Sequence, residues 1–224
     1  MLYLYETTYP YSGVMDEYVE VMGTDLIPGL DRHMTVLGVF RVAFRHRETF
    51  FLSELPHGVE TLEGLSNYVM HERDGLAWHR EGFRYREEWL DSLLEGLPFA
   101  PAAADIKERQ KKGDFVGNTL YCRFIYNVLP GKTDEFLDAF ASELVPVEEE
   151  RGTKLAGCYR WFGACGESGQ ITTLWSLRDW AHLGEIREAR RQDERYRRWT
   201  EKWFALCGEW SQSFLIPVPY SPLH

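Results

Sequence analysis

No stretch of this sequence approaches the ~20 consecutive apolar residues that a membrane-spanning helix needs, and none gathers the clustered Lys and Arg that phosphate neutralisation requires. With a formal charge of -10 at pH 7, nucleic acid and anionic membranes are excluded as partners. The one basic run, residues 187–198, is interleaved with Glu188, Asp193 and Glu194 and reads as a solvated helix face. The chain opens on a strand pattern without a basic leader or cleavage site, so a cytoplasmic protein is expected. Cysteine is scarce. Cys122, Cys158, Cys165 and Cys207 form no CxxC pair and fall on predicted elements, which favours reduced structural thiols over disulfides or zinc. HExxH, GxGxxG, P-loop and GxSxG elements are all missing, so neither a dedicated metal site, a nucleotide cofactor nor a nucleophile elbow is expected. The expectation is no cofactor; haem stays open, because a proximal ligand takes only one cavity-facing histidine, such as His79 or His182.

What the sequence does contain is a repeat. Leu2-Tyr3 answers Leu120-Tyr121, Gly13 answers Gly131, Asp16-Glu17-Tyr18 answers Asp134-Glu135-Phe136, and Ile27-Pro28 answers Val145-Pro146, each pair 118 positions apart. The echo continues with offsets that drift to 122 between Glu48 and Gln170 and to 121 between Pro98 and Pro219. Drift of this kind places the length changes in loops. Repeats of roughly 105 residues are too long for solenoid units and suit two small similar domains. The division read from the sequence is 1–101, a linker over 102–117, and 118–224.

Residues 2–9 are rich in aromatic and β-branched side chains and predict a strand, followed by a turn at Ser12-Gly13 and a helix from Val14 that loosens near Gly23. Residues 35–44 and 48–55 predict a hairpin about Arg45-His46-Arg47. Residues 61–95 predict two helices broken near Asp74-Gly75, with the half closing at Leu97-Pro98-Phe99. The second half repeats this as a strand at 120–128, a helix at 134–149, a hairpin of 155–162 and 170–177, a long helix at 179–206 and a last strand at 211–218. The fold class is therefore α+β: two ferredoxin-like β-α-β-β-α-β repeats. Each antiparallel sheet has one face bare of helices, and the expectation is that the two pack sheet to sheet as a pseudo-dimeric α/β barrel.

Four segments of the second half carry a family resemblance: LYCRFIYNVLPGKTDEF, LAGCYRWF, ITTLWSLRDWAHLGE and the closing FLIPVPYSPL. Together they resemble the NIPSNAP family, a branch of the dimeric α/β-barrel superfamily, across the whole second half and more weakly the first. The Pro130-Gly131 turn, Leu174-Trp175 and Pro219-Tyr220-Ser221-Pro222 are its most specific elements. The chain departs from the pattern at Cys122 and Phe124, where members carry a charged residue on the first strand, with only Tyr126 matching; Ser53 stands where Trp175 would be echoed. The superfamily implied by the resemblance hosts cofactor-independent monooxygenases, cyclases, isomerases, decarboxylases and haem enzymes, so the fold alone does not choose the chemistry.

Aromatic residues make up 15% of the chain, with eight tryptophans. Lining the space between a sheet and its helices they suit a flat hydrophobic substrate; equally, small halves need large side chains to fill their cores. His79, beside Trp78 and Arg80, is placed as a general base, with His33 and Glu54 as further catalytic candidates. His71 shares the face of His79 only if the helix runs unbroken through Gly75. Glu6, mid-strand, is a carboxylate whose pKa burial would raise, unless it pairs with Arg41 or Arg123. Tyr5 and Trp78 in the first half, and Tyr126, Arg160, Trp161 and Trp175 in the second, are the candidate substrate contacts. With no base as clear as His79, the second half reads as mainly structural. The function that these residues imply is cofactor-independent acid/base chemistry on a small aromatic or polyketide-like molecule in secondary metabolism: a cyclase, isomerase or monooxygenase, as monomer or homodimer. The alternatives are a non-catalytic binding or scaffold protein, whose cavity would be filled by side chains, and a haem enzyme, which a Soret band would reveal.

Overall fold

The computed structural model describes residues 1–162 and 169–224; Cys165 lies outside them. The chain forms two compact units, one of Met1–Glu95 with Leu215–His224 and one of Gly96–Phe214. Each unit is α+β. The units divide at residues 95/96 and 214/215, inside strands, whereas the sequence suggested division at 101 and 118.

Unit 1 contains β1 (Leu2–Pro10), α1 (Met15–Val21), a π-helical turn (Met22–Leu26), α2 (Ile27–Leu30), β2 (Thr35–Val42), β3 (Thr49–Leu55), α3 (Val59–His71), α4 (Arg73–Tyr85) and β4 (Arg86–Gly96, to Glu95). Its antiparallel sheet runs β4-β1-β3-β2, and Leu215–Pro217 pair beside β2. In unit 2, α5 (Ala103–Lys111) precedes β5 (Leu120–Val128), α6 (Thr133–Ala139), a π turn (Phe140–Leu144), α7 (Val145–Glu150), β6 (Lys154–Trp161), β7 (Gln170–Leu177), α8 (Trp180–Gln192), α9 (Glu194–Leu206) and β8 (Cys207–Pro217). Here β7 pairs with β5 and β6, β8 lies beside β5, and the Leu97 N–H bonds to the Cys158 carbonyl at 3.1 Å.

Element by element the second set of bounds is the first displaced: α6 starts 118 residues after α1, and α8, α9 and β8 each start 121 after α3, α4 and β4. The π turns recur at the same displacement of 118, and both have one cause. Pro28 and Pro146 lack an N–H and crowd the carbonyl four residues back. The preceding turn widens instead, with the Ile27 N–H reaching the Met22 carbonyl and the Val145 N–H the Phe140 carbonyl, five residues back. The loosening expected near Gly23 is this turn, and the helix continues beyond it.

The structure corrects several predicted boundaries. Residues 86–96 are not the end of a helix but the fourth strand, paired with β1 from Leu2↔Glu95 to Pro10↔Arg86. Their Arg, Glu and Leu favour helix locally, and pairing along a whole neighbouring strand overrides that preference. The first helical pair breaks at Glu72, which is extended, and the long helix at 179–206 breaks at the equivalent Asp193. Gly75 is a packing contact: a Cβ there would lie 2.2 Å from the Tyr68 carbonyl, so glycine lets α4 approach α3. Residues 102–117 are more than a linker, since α5 and the segment after it bury Ala103, Ile106 and Phe115. The last strand begins at Cys207, four residues before the expected start.

Each unit has its own core, between its sheet and its helices. In unit 1 it gathers Tyr18, Met22, Met34, Phe51, Tyr68 and Trp78; in unit 2, Tyr126, Phe136, Phe140, Trp175, Trp199 and Trp203. Cys122, Cys158 and Cys207 are buried free thiols. Burial pushes the thiol pKa of Cys122 and Cys207 up to about 12, so both stay protonated and unreactive. No helix among the described residues is long and apolar enough to cross a membrane.

A strand glycine in each unit supports a ring two residues on. A Cβ on Gly38 would sit 2.3 Å from the Phe40 ring, and one on Gly157 2.1 Å from the Tyr159 hydroxyl, both at the register shift of their hairpin. Gly38→Ala is expected to cost about 1–3 kcal/mol through overpacking, read as a lower urea midpoint at unchanged slope. Gly184→Ala, in α8 with nothing within 4 Å, is the control and should leave the midpoint equal or higher.

Candidate functional site

Unit 1 encloses a cavity of about 220 Å³ between its sheet and helices. β1 sends Leu4 and Glu6 into it from one face, because successive side chains on a strand alternate. β3 adds Phe51, β4 adds Arg86, Trp89 and Asp91, and α4 adds Trp78 and His79. Aliphatic side chains from the helices and Met34 close the remainder.

The charged floor comes from the β1–β4 pairing. Glu6 and Asp91 are directly opposite in the register, and their carboxyls are hydrogen-bonded to each other. Thr8 Oγ1 donates to Glu6 Oε1 at 2.7 Å, and Arg86 Nη1 approaches the same oxygen at 3.8 Å. Burial pushes the Glu6 pKa from 4.5 up to about 7, with the negative charge of Asp91 adding to the rise and Arg86 opposing it. Asp91 is raised too, again by burial first. The pair therefore holds one proton near neutrality.

Arg86 is 5% exposed, and its guanidinium carbon lies 4.1 Å from the Trp89 ring centre and 6.0 Å from that of Trp78. Its Nε has no hydrogen-bond partner among the described residues. Gly82 makes room for it, as a Cβ there would meet Nε and Nη2 at 3.0 Å. The His79 ring meets those of Phe83 and Trp89 edge-on, at 5.3 and 6.1 Å. Tyr18 is fully buried beside Thr8 and Arg86, and burial holds its hydroxyl protonated. A carboxyl that ionises near neutral pH, a buried guanidinium and two indole walls can accept a proton from a flat molecule and steady the charge left on it.

Of the residues singled out from the sequence, Trp78, His79 and Glu6 line this cavity. Glu6 meets Arg86; Arg41 pairs instead with Asp16 at 2.7 Å, and Arg123 bonds to Ser213 at 3.2 Å. Tyr5 and Glu54 project from the opposite face of the sheet, where Tyr5 packs on Phe50 at 4.8 Å and Glu54 accepts a 3.0 Å hydrogen bond from Tyr3. His33 stacks near Tyr68 at 5.1 Å and does not line the cavity. His71, before the break at Glu72, is exposed. In unit 2, Tyr126 and Trp175 are core residues against Phe136 and Phe140, while Arg160 and Trp161 are exposed at the end of β6. His182 is buried with both ring nitrogens engaged, to the Arg151 carbonyl and the Arg178 N–H. Arg86, Trp89 and Asp91 were missed because their strand read as helix.

The equivalent space in unit 2 carries different side chains. At the offsets of 118 and 121, Glu6 becomes Phe124, Arg86 becomes Cys207 and Asp91 becomes Gln212. Phe124 stacks on Tyr126 at 5.7 Å, Trp203 closes on Tyr126 at 5.6 Å, and Gln212 bonds to the Cys122 sulfur at 3.0 Å. A ring and an amide occupy the places of the acid pair. As for haem, a cavity of about 220 Å³ does not take a porphyrin.

The fold recurs in solved structures over nearly the whole chain. A candidate monooxygenase from Lactobacillus acidophilus matches with a TM-score of 0.64 at 10% identity, covering 96% of this chain and 93% of its own. A second, from Fusobacterium nucleatum, matches with 0.66 at 9% identity over 96% and 91%. An anthrone oxidase-like protein matches with 0.64 at 13% identity over 100% and 94%. At such identities the likeness is one of fold alone. Residues 123–222, somewhat under half of the chain, match the NIPSNAP family model. No curated protein matches the sequence significantly.

The raised carboxyl has a signature in stability. A group whose pKa rises from 4.5 to about 7 on folding favours the folded state below 4.5 and loses that contribution as pH climbs through about 7. The melting temperature should therefore fall between pH 4.5 and 7, and fall less in Glu6→Gln; parallel curves for the two proteins would contradict the assignment.

Proposed function

We propose that unit 1 is the working half of a small-molecule enzyme that performs cofactor-independent acid/base chemistry on an aromatic or polyketide-like substrate. The observation that carries this reading is Glu6, a carboxyl with a pKa of about 7 in a cavity walled by Trp78 and Trp89. In its ionised form Glu6 takes a proton from an acidic carbon or phenol of the bound molecule. The carbanion, enolate or phenolate left behind is held beside the Arg86 guanidinium, and His79 is placed to return or relay the proton. The molecule bound then decides between ring closure, proton return at another carbon, and reaction with dioxygen as co-substrate. Similar folds in a candidate monooxygenase and an anthrone oxidase-like protein are consistent with the last. The volume of about 220 Å³ exceeds the ~150 Å³ that accommodates benzene, which supports a substrate of one or two rings.

Proton abstraction is testable without knowing the product. α-Tetralone, a two-ring ketone, incubated with the protein in deuterium oxide should lose its α-proton NMR signal faster than in buffer, with a rate that rises as pH passes through about 7. Glu6→Gln should slow this exchange by about 10²–10⁴-fold, the range of general-base contributions, and His79→Ala should lower it less. Wild-type exchange equal to that of Glu6→Gln would remove Glu6 from the role and favour a binding protein without catalysis.

A further inference from the structure

Turnover in the unit 1 cavity has a requirement that most of its walls do not meet. A base that takes a proton from one molecule must release it before it can serve the next. Glu6 is poorly placed to do so alone, since only 14% of its side chain is exposed. The aliphatic and aromatic walls around it carry no proton at neutral pH.

Of the polar groups around the Glu6 carboxyl, Thr8, Arg86 and Tyr18 are sealed from water. Thr8, whose hydroxyl donates to Glu6 Oε1 at 2.7 Å, is 2% exposed. Arg86, 3.8 Å from the same oxygen, is buried and keeps its protons at any working pH. Burial likewise holds the Tyr18 hydroxyl protonated. Asp91 differs from these: it is hydrogen-bonded to Glu6 from the neighbouring strand, and it is exposed to solvent. His79 also lines the cavity, but its ring faces those of Phe83 and Trp89, and no hydrogen bond joins it to the pair among the described residues.

The opening at this position belongs to the scaffold. In unit 2 the equivalent residue, 121 positions on, is Gln212, and it too is exposed. Its amide bonds to the Cys122 sulfur at 3.0 Å and has no acidic proton to pass on. The residue equivalent to Glu6 there is Phe124. Of the two units, then, unit 1 is the one that joins a sheltered carboxyl to a solvent-facing one, directly opposite in the β1–β4 register.

We propose that Asp91 is the proton outlet of the cavity, acting through Glu6 and not on the substrate; this rests on the acid/base reading of the same site. The C–H or O–H bond of the bound molecule breaks, its electron pair stays on the molecule, and the proton passes to a Glu6 oxygen. From there it crosses the hydrogen bond to the Asp91 carboxylate and leaves to water or to a buffer base. The return path is the reverse, so a solvent proton ends on the substrate and neither oxidant nor cofactor is consumed. The bond that the proton crosses is already made, and no side chain has to turn.

Exchange of α-tetralone in deuterium oxide, followed above the Glu6 midpoint of about 7, separates the outlet from the base. Wild-type exchange should not depend on the concentration of imidazole. Asp91→Asn should exchange at least about tenfold more slowly, and recover towards the wild-type rate as imidazole is added to carry the proton in place of the missing carboxyl. Asp91→Glu should need no imidazole, and Glu6→Gln should stay slow in its presence. Exchange by Asp91→Asn at the wild-type rate, or slow exchange at every imidazole concentration, would overturn the outlet and leave Glu6 as the base. Rescue of His79→Ala by imidazole in place of Asp91→Asn would overturn it too, moving the route to His79. Wild-type exchange no faster than that of Glu6→Gln would instead remove the acid/base reading, and the outlet with it.

Discussion

Two carboxyl groups set opposite each other on neighbouring strands and closed off from water cannot both carry charge. That constraint shapes unit 1. One proton must be shared between Glu6 and Asp91, and a cation must stand near enough to steady the remaining charge. Arg86 supplies it at 3.8 Å, Thr8 supplies a hydroxyl, and Gly82 keeps the helix clear of the guanidinium. Removing one member of such a set leaves a buried charge uncompensated, typically at about 3–5 kcal/mol. The arrangement is therefore a weak device for stability.

Unit 2 indicates what the same scaffold looks like without that demand. Its bounds follow those of unit 1 at displacements of 118 and 121, yet Phe124, Cys207 and Gln212 replace the ionisable trio and rings fill the interior. The charged residues of unit 2 gather elsewhere. Glu148 is 1% exposed and accepts from both Arg151 and Arg190 at 2.7 to 3.0 Å. That network satisfies its own charges and leaves nothing for a substrate to do. Unit 1 thus holds its acid pair at the edge of a cavity, and unit 2 joins its buried carboxylate to two guanidinium groups.

Much of this organisation was legible in the sequence. Constant offsets gave the element order, and the segments from LYCRFIYNVLPGKTDEF onward carried the NIPSNAP resemblance now shown at 123–222. Trp78 and His79 were found because an imidazole with an indole and a guanidinium on either side of it in the chain is visible directly. Arg86, Trp89 and Asp91 were not, since a run such as REEWLDSLLEG satisfies helical spacing as readily as alternation. A signal was nevertheless available: the offset of 121 lays Glu88-Trp89 on Glu209-Trp210 and Ser92 on Ser213, within or beside the strand expected at 211–218. The pairing of Glu6 was beyond reach for a different reason. Choosing Arg86 over Arg41 or Arg123 depends on which strand lies beside β1, and that is a property of the assembled sheet.

The widened turn ahead of each proline also constrains how the protein can change. An inserted residue in a helix swings everything after it by about 100°, and in unit 1 the side chains so re-aimed include Leu26 and Leu30, which wall the cavity. Shortening that turn by a single position would rotate these two out of the lining and bring their polar neighbours inward. The chamber's shape is consequently tied to chain length at this point more tightly than to the identity of either leucine, and relatives that keep the proline but vary the count around Met22–Leu26 should enclose differently shaped guests.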